Sequence, residues 1–139
     1  DLVVKTPFIK GASELLHHRD DVGFRWVFMD SRVDERSHVY IIERTFDKDY
    51  AGQAQPHVDS HAHNCDSVFA FMGNSADGTG LTVRVTFGEG EQATTQTFES
   101  PASVYIPANI YHSYEYVSGT GRFLNFVLSP NYNESIVNQ

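Results

Sequence analysis

Leu81-Thr82-Val83-Arg84-Val85-Thr86-Phe87 alternates apolar and polar side chains without a break. Successive side chains of an extended chain point to opposite faces. The period of two therefore places Leu81, Val83, Val85 and Phe87 together and predicts a strand with that face buried. Working outward, Val22 to Met29, Ser37 to Phe46, Val68 to Met72, Thr94 to Phe98, Ser103 to Ile106, Tyr111 to Val117 and Arg122 to Leu128 are rich in β-branched or aromatic residues and read as further strands. Turn-forming residues separate them at Asp20-Asp21, from Asn74 to Gly80, at Gly88-Glu89-Gly90 and at Ser118-Gly119-Thr120-Gly121. Only Ser13 to His18 reads as a helical turn. Many short strands with glycine-bearing turns predict an all-β sandwich or barrel.

The length of 139 residues fits one domain, able to bury an ordinary core without a disulfide or metal to hold it. We expect a single domain over 1–139, with an N-terminal arm at 1–20 and a polar C-terminal tail at 130–139 that packs along the outside or frays. Hydrophobic residues make up 40% and charged residues 20%, the profile of a soluble globular chain. A net charge of −8 argues against nucleic acid as a partner, because phosphate recognition needs clustered Lys and Arg, and against docking on an anionic membrane. Cys65 is the single cysteine, so no intrachain disulfide can form, which fits a cytoplasmic setting. No apolar run approaches the ~18–20 residues of a membrane-spanning helix, and Asp1-Leu2-Val3-Val4-Lys5 lacks the charged-then-apolar pattern of a secretion signal.

The chemically informative stretch is Gln55-Pro56-His57-Val58-Asp59-Ser60-His61-Ala62-His63-Asn64-Cys65-Asp66. In an extended chain His57, Asp59, His61 and His63 share a face, and His61 and His63 sit ~7 Å apart, near enough for two imidazoles to converge on one ion. A single strand histidine is ordinarily a surface or structural residue; three on one parity within seven positions point to a ligand set. Cys65 has the parity of His63 and is either a thiolate ligand or a buried inert thiol. A second stretch, Ile106-Pro107-Ala108-Asn109-Ile110-Tyr111-His112-Ser113-Tyr114-Glu115-Tyr116, carries His112 at the start of a strand, with Tyr114 and Tyr116 on its face.

Together the two stretches resemble the two motifs of the cupins. The first motif has the form HxH, three or four residues, Glu, about six residues and Gly; His61-Ala62-His63 and Gly73 match its ends. The second, PxGxxH, is matched from Pro107 to His112 with Asn109 in the glycine position. The resemblance covers roughly residues 40 to 128. It implies a double-stranded β-helix, or jelly-roll barrel, holding one divalent metal ion (Zn, Fe, Ni, Mn or Co) on a set drawn from His57, His61, His63 and His112. The pattern is broken at the carboxylate: Ser67 stands where an HxHx3E cupin has its metal-binding Glu. Asp66, Asp59 or His57 could replace it, or no side chain does. Some small, histidine-rich polyketide cyclases of cupin type offer an analogy. Cupins also commonly dimerise through N-terminal strands, here the segment Val22 to Phe46, interrupted by Arg25, Arg32 and Arg36.

An ion on three or four imidazoles keeps an open position for a carbonyl, enol or carboxylate oxygen of a small-molecule substrate and acidifies the neighbouring C–H. Tyr114, Tyr116, Asp59 or a metal-bound hydroxide would then move the proton. This suits cyclisation, isomerisation, elimination or hydrolysis. A metal-dependent dioxygenase and a non-catalytic ligand-binding cupin are the alternatives. Phe69, Phe71, Tyr105, Phe123 and Phe126 are candidate apolar walls, although parity turns some of them outward.

Overall fold

The computed structural model describes residues 4–10, 25–51, 57–129 and 131–137, with the backbone alone at 57–59 and 133. Its strands are β1 (Phe8–Ile9), β2 (Arg25–Met29), β3 (Tyr40–Phe46), β4 (His57–His61), β5 (Ser67–Gly73), β6 (Leu81–Phe87), β7 (Thr94–Glu99), β8 (Ala102–Ile106), β9 (His112–Gly119) and β10 (Gly121–Val127), followed by a single helical turn, α1 (Tyr132–Ser135). The expected helical turn from Ser13 to His18 and the first residues of the strand expected from Val22 lie outside the described residues. Among those described, no helix is long and apolar enough to cross a membrane.

The strands form two antiparallel sheets, ordered β1-β2-β3-β10-β5-β8 and β4-β9-β6-β7. From β3 to β6 and again from β7 to β10 the chain changes sheet at every connection, which wraps two facing sheets into a jelly roll. This is the all-β barrel expected from the sequence. Alternation fixes which way each strand faces. Leu81, Val83 and Val85 are buried on the inner face of β6, whereas Arg84 on the outer face pairs with Glu115 of β9 at 3.1 Å. The inner faces of β5, β9 and β10 contribute Phe69, Phe71, Tyr114, Tyr116 and Phe123 to one core, with Phe69 and Phe123 edge to face at 5.0 Å. Burying side chains of this size contributes about 1.5–3 kcal/mol each. Of the candidate walls, Phe69, Phe71 and Phe123 face inward; Tyr105 is 60% exposed on the outside and Phe126 is half-buried.

Gly73, the closing glycine of the first motif, has a steric reason to be there. A Cβ at this position would lie 2.0 Å from the Thr79 carbonyl oxygen, across the hairpin that the Gly73 N–H closes onto Gly78 O at 2.7 Å.

Two expectations change. His61 and His63 do not belong to one continuous strand: β4 ends at His61, its pairing with β9 is irregular between Val58 and His61, and His63 makes an isolated bridge to Ile136. The C-terminal segment is not packed on the outside where described. Tyr132, Ser135 and Ile136 are buried, and residues 62–64 bond to this turn through Val137 N to Ala62 O and Asn64 N to Ser135 O, both 2.7 Å. The polar composition of the tail concealed two apolar anchors, Tyr132 and Ile136, which pack with Val27, Tyr40, Ile42 and Val127.

Candidate metal centre

His61, His63 and His112 are each 3% exposed or less and can place a ring nitrogen within 4.8 Å of the other two. Their elements explain the convergence. His61 at the end of β4 is opposite His112 at the start of β9 in the strand register. His63 reaches the same point because the chain leaves the sheet at Ala62 and is caught between the C-terminal turn and the loop before β9, where Asn109 N bonds to His63 O at 2.7 Å. The ring centroids are 4.7 Å apart for His61 and His112, 5.0 Å for His61 and His63, and 5.7 Å for His63 and His112.

Hydrogen bonds set the tautomers. Nδ1 of His112 lies 2.9 Å from Ile110 O, a carbonyl that can only accept, so Nδ1 carries the hydrogen and Nε2 the lone pair. His112 Nε2 is buried and has no hydrogen-bond partner among the described residues. His63 Nδ1 lies 2.7 Å from Ser135 Oγ, and that hydroxyl spends its hydrogen on Tyr132 O at 2.6 Å. Ser135 must therefore accept from Nδ1–H, which again leaves the lone pair on Nε2. Anchoring of Nδ1 with the lone pair left on Nε2 is the arrangement in which metal-bound imidazoles are held. Burial pushes the His112 imidazole below its ordinary pKa, with the Ile110 carbonyl offsetting only part of this, so the ring is kept in the neutral form a cation needs. His61 Nε2 meets the hydroxyl of Tyr132 at 3.0 Å. The donor set fits a borderline divalent ion: three converging imidazoles and, on His112, a buried lone pair without a hydrogen-bond partner among the described residues.

The other expected ligands are placed as follows. The side chains of His57 and Asp59 lie outside the described residues; their backbone runs in β4. Asp66 does not turn toward the histidines. Its carboxylate accepts from Ala108 N at 2.8 Å and from the hydroxyl of the exposed Tyr105, contacts that hold it below the usual carboxylate range. Ser67, in the position of the motif carboxylate, is buried at the inner start of β5, and its Oγ has no hydrogen-bond partner among the described residues. Cys65 packs against the cluster of Val27, Tyr40 and Val127, and burial and then Asp66 push its thiol pKa up.

Tyr114 and Tyr116 share the inner face of β9 with His112. Tyr114, two residues on, accepts a hydrogen bond from the buried Arg44 at 3.0 Å. Tyr116 is ~13 Å along the strand from His112, at the opposite end, where its hydroxyl donates to Gly119 O at 2.5 Å and accepts from Tyr50 N at 2.9 Å. On the same inner surface Asn125 of β10, opposite Phe69, leaves a buried Oδ1 without a hydrogen-bond partner among the described residues. A cleft of about 410 Å3 opens between the free edges β7 and β8; Val85, Phe87, Phe98 and Val104 line it, and Phe87 is paired with His112. Sequence reasoning missed Tyr132, Ser135 and Arg44. A signal for the first two existed: Asn131 followed three residues later by Glu134 is a helix-start pattern, and Asn131 Oδ1 accepts from Glu134 N at 3.1 Å.

Jelly-roll topology, inward histidines from the HxH and PxGxxH stretches and a glycine-closed hairpin define the fold as that of a cupin with a three-histidine centre. No family model and no curated protein sequence matches the chain. Among solved structures it is similar to oxalate decarboxylase: a variant of the Bacillus subtilis protein superposes with a TM-score of 0.65 at 12% identity, over 99% of this chain and 32% of that one. A second structure, of the Mn(II) centres of the same protein, gives 0.63 at 13% identity over 95% and 31%. The formate complex of Lactobacillus farciminis oxalate decarboxylase gives 0.60 at 18% identity over 90% and 33%. The chain thus spans about a third of the length of these proteins, and the likeness is one of fold.

Proposed function

We propose that this chain is a metal-dependent enzyme that carries out non-redox chemistry on a small oxygenated substrate: cyclisation, isomerisation, elimination or hydrolysis. The observation that carries the proposal is the convergence of three buried imidazoles, two of them with the tautomer set so that Nε2 faces the cluster. A divalent cation bound there supplies Lewis acidity to a carbonyl, enol or carboxylate oxygen. The Mn(II) centres and the bound formate of the structurally similar proteins favour a manganese-class ion and a small oxygen ligand.

The residues of the chain divide the remaining work. His61, His63 and His112 hold the ion. Tyr114 is the group we assign to proton movement: its oxygen already accepts from Arg44, so its own hydrogen is available to a substrate. Tyr116, committed to Gly119 at the opposite end, holds the fold together in this reading. Asn125 Oδ1 accepts and Ser67 Oγ donates or accepts at the inner wall, and Phe69 and Phe123 exclude water.

The test is elemental analysis of protein purified without added metal, for the parent, His61→Ala and His112→Ala. We expect near-stoichiometric metal in the parent and its loss in both variants; metal retained by both variants would overturn the site. His57→Ala reads the role of the remaining histidine. Hydrogen–deuterium exchange at the acidic C–H of small keto acids, followed by NMR in D2O, is expected to depend on the metal and on Tyr114 and to proceed without oxygen. Oxygen uptake with an enolic substrate would instead establish the dioxygenase reading.

A further inference from the structure

We infer that the phenolic oxygen of Tyr132 is the fourth protein donor to the ion, in place of the carboxylate that the HxHx3E pattern puts at position 67. The inference rests on the metal-centre reading above and adds to it a ligand from the C-terminal turn.

Three observations converge. First, the usual oxygen donor is missing from where the motif puts it. Ser67 has a side chain too short to replace Glu, and both oxygens of the adjacent Asp66 are spent on Ala108 N and Tyr105 at the surface. Second, Tyr132 is 3% exposed and stands among the imidazoles, its ring 4.9 Å from that of His63 and 6.0 Å from that of His61. Third, its oxygen lies 3.0 Å from His61 Nε2. Nε2 is the nitrogen that His63 and His112 turn toward the cluster, so the phenol meets the third imidazole at the corresponding atom. Two donors bound ~2.0–2.2 Å from one ion at angles of 90–110° are about 3.0–3.5 Å apart, which is the separation seen. A cation taking the Nε2 lone pair would stand beside this phenol oxygen, within reach of it as a further donor.

The turn is built to hold this oxygen in place. Ser135 Oγ donates to Tyr132 O at 2.6 Å and accepts from His63, so one residue fixes both a ligand ring and the backbone that carries the phenol. The ring packs on Tyr40 at 5.1 Å, with Lys10 Nζ 3.9 Å above it.

The test uses Fe(III) as a spectroscopic probe, because a phenol oxygen on ferric iron gives a visible charge-transfer band that imidazoles alone do not. Parent, Tyr132→Phe, and Tyr50→Phe as a control at the opposite end would be loaded, with iron measured in each. We expect the band in parent and control, and its loss in Tyr132→Phe with iron still bound by the three histidines. Competition with a chromophoric chelator should show Mn(II) or Zn(II) affinity falling at least about 10-fold in that variant. A band retained in Tyr132→Phe, or absent from an iron-loaded parent, would overturn the inference while leaving the three-histidine centre standing. Metal retained by both His61→Ala and His112→Ala, or no metal bound by the parent, would overturn the centre itself and Tyr132's role with it.

Discussion

Asn109 stands in the glycine position of the second motif, and the backbone shows why that position is restricted: its φ is 67°, in the left-handed region. Asparagine is the non-glycine residue that visits this region most readily, so the departure from the motif preserves its conformation. The position bears on the metal centre because Asn109 N donates to His63 O. Asn109→Gly is therefore expected to fold with unchanged metal content. Asn109→Val, β-branched and forced to positive φ, should lose about 1–3 kcal/mol in urea denaturation and bind the ion more weakly. Ser135 acts at the same scale through a hydroxyl. Ser135→Ala leaves His63 Nδ1–H without its acceptor, and divalent-metal affinity measured by chelator competition should fall about 10–100-fold with little change in the circular dichroism spectrum. Unchanged affinity would mean that the ring does not need this hydrogen bond to stay aligned.

At the scale of elements, what the sequence disclosed and what it withheld divide along physical lines. β6 was legible to the residue because Leu81 to Phe87 obeys a period of two and one face is buried. The starts of β5, β8 and β10 were displaced by one residue, since Ser67, Ala102 and Gly121 carry no β-propensity and are held in their strands by neighbours rather than by their own preference. The histidines of the centre were legible as a set, yet the reason they meet was not. Parity within one strand was the reading; the structure uses the end of β4, a bridge to Ile136 and the start of β9. The C-terminal turn was illegible by composition, because Tyr132 and Ile136 are isolated apolar residues in a polar stretch and only tertiary packing shows where they go. Deleting residues 130–139 should cost about 3 kcal/mol or more from the burial of these two side chains and should also weaken metal binding. A segment that merely lay on the surface would change neither the denaturation midpoint nor the affinity. The connection after β3 yields a prediction in pH. Hydrogen bonding to Asp47, with burial, raises the Tyr50 phenol to about 12. The unfolded chain loses this proton near 10 while the native state keeps it, so the native state binds more protons between these values. The contribution is fully present below pH ~10 and is lost as the pH rises toward 12. An ultraviolet phenolate titration should show this late phenol in the parent, and in Tyr50→Phe the fall in stability over that window should flatten.

At the scale of the whole molecule, an ion held by the three histidines would share one equilibrium with the fold. His61 and His63 precede β5, His112 begins β9 and the orienting Ser135 lies near the end of the chain, so the ligand set exists only when both sheets and the terminal turn are assembled. An ion that binds this set and has little affinity for the unfolded chain must stabilise the native state by RT ln(1 + [M]/Kd), about 2.7 kcal/mol at one hundred times Kd. For a domain of this size 1 kcal/mol moves the melting temperature by roughly 3–4 °C. Protein with saturating metal is then expected to melt about 8–10 °C above the same protein in excess chelator. The barrel supplies its own core through Phe69, Phe71, Phe123 and their neighbours, so the metal-free form should still unfold cooperatively rather than collapse into a partly ordered state. His112→Ala separates the two contributions. Removing the imidazole leaves a small cavity, which lowers the metal-free melting temperature modestly, but it should erase most of the increment that metal gives the parent. If calorimetry instead found the same increment in parent and variant, the stabilising ion would be bound elsewhere on this acidic surface, and the buried imidazoles would be packing residues.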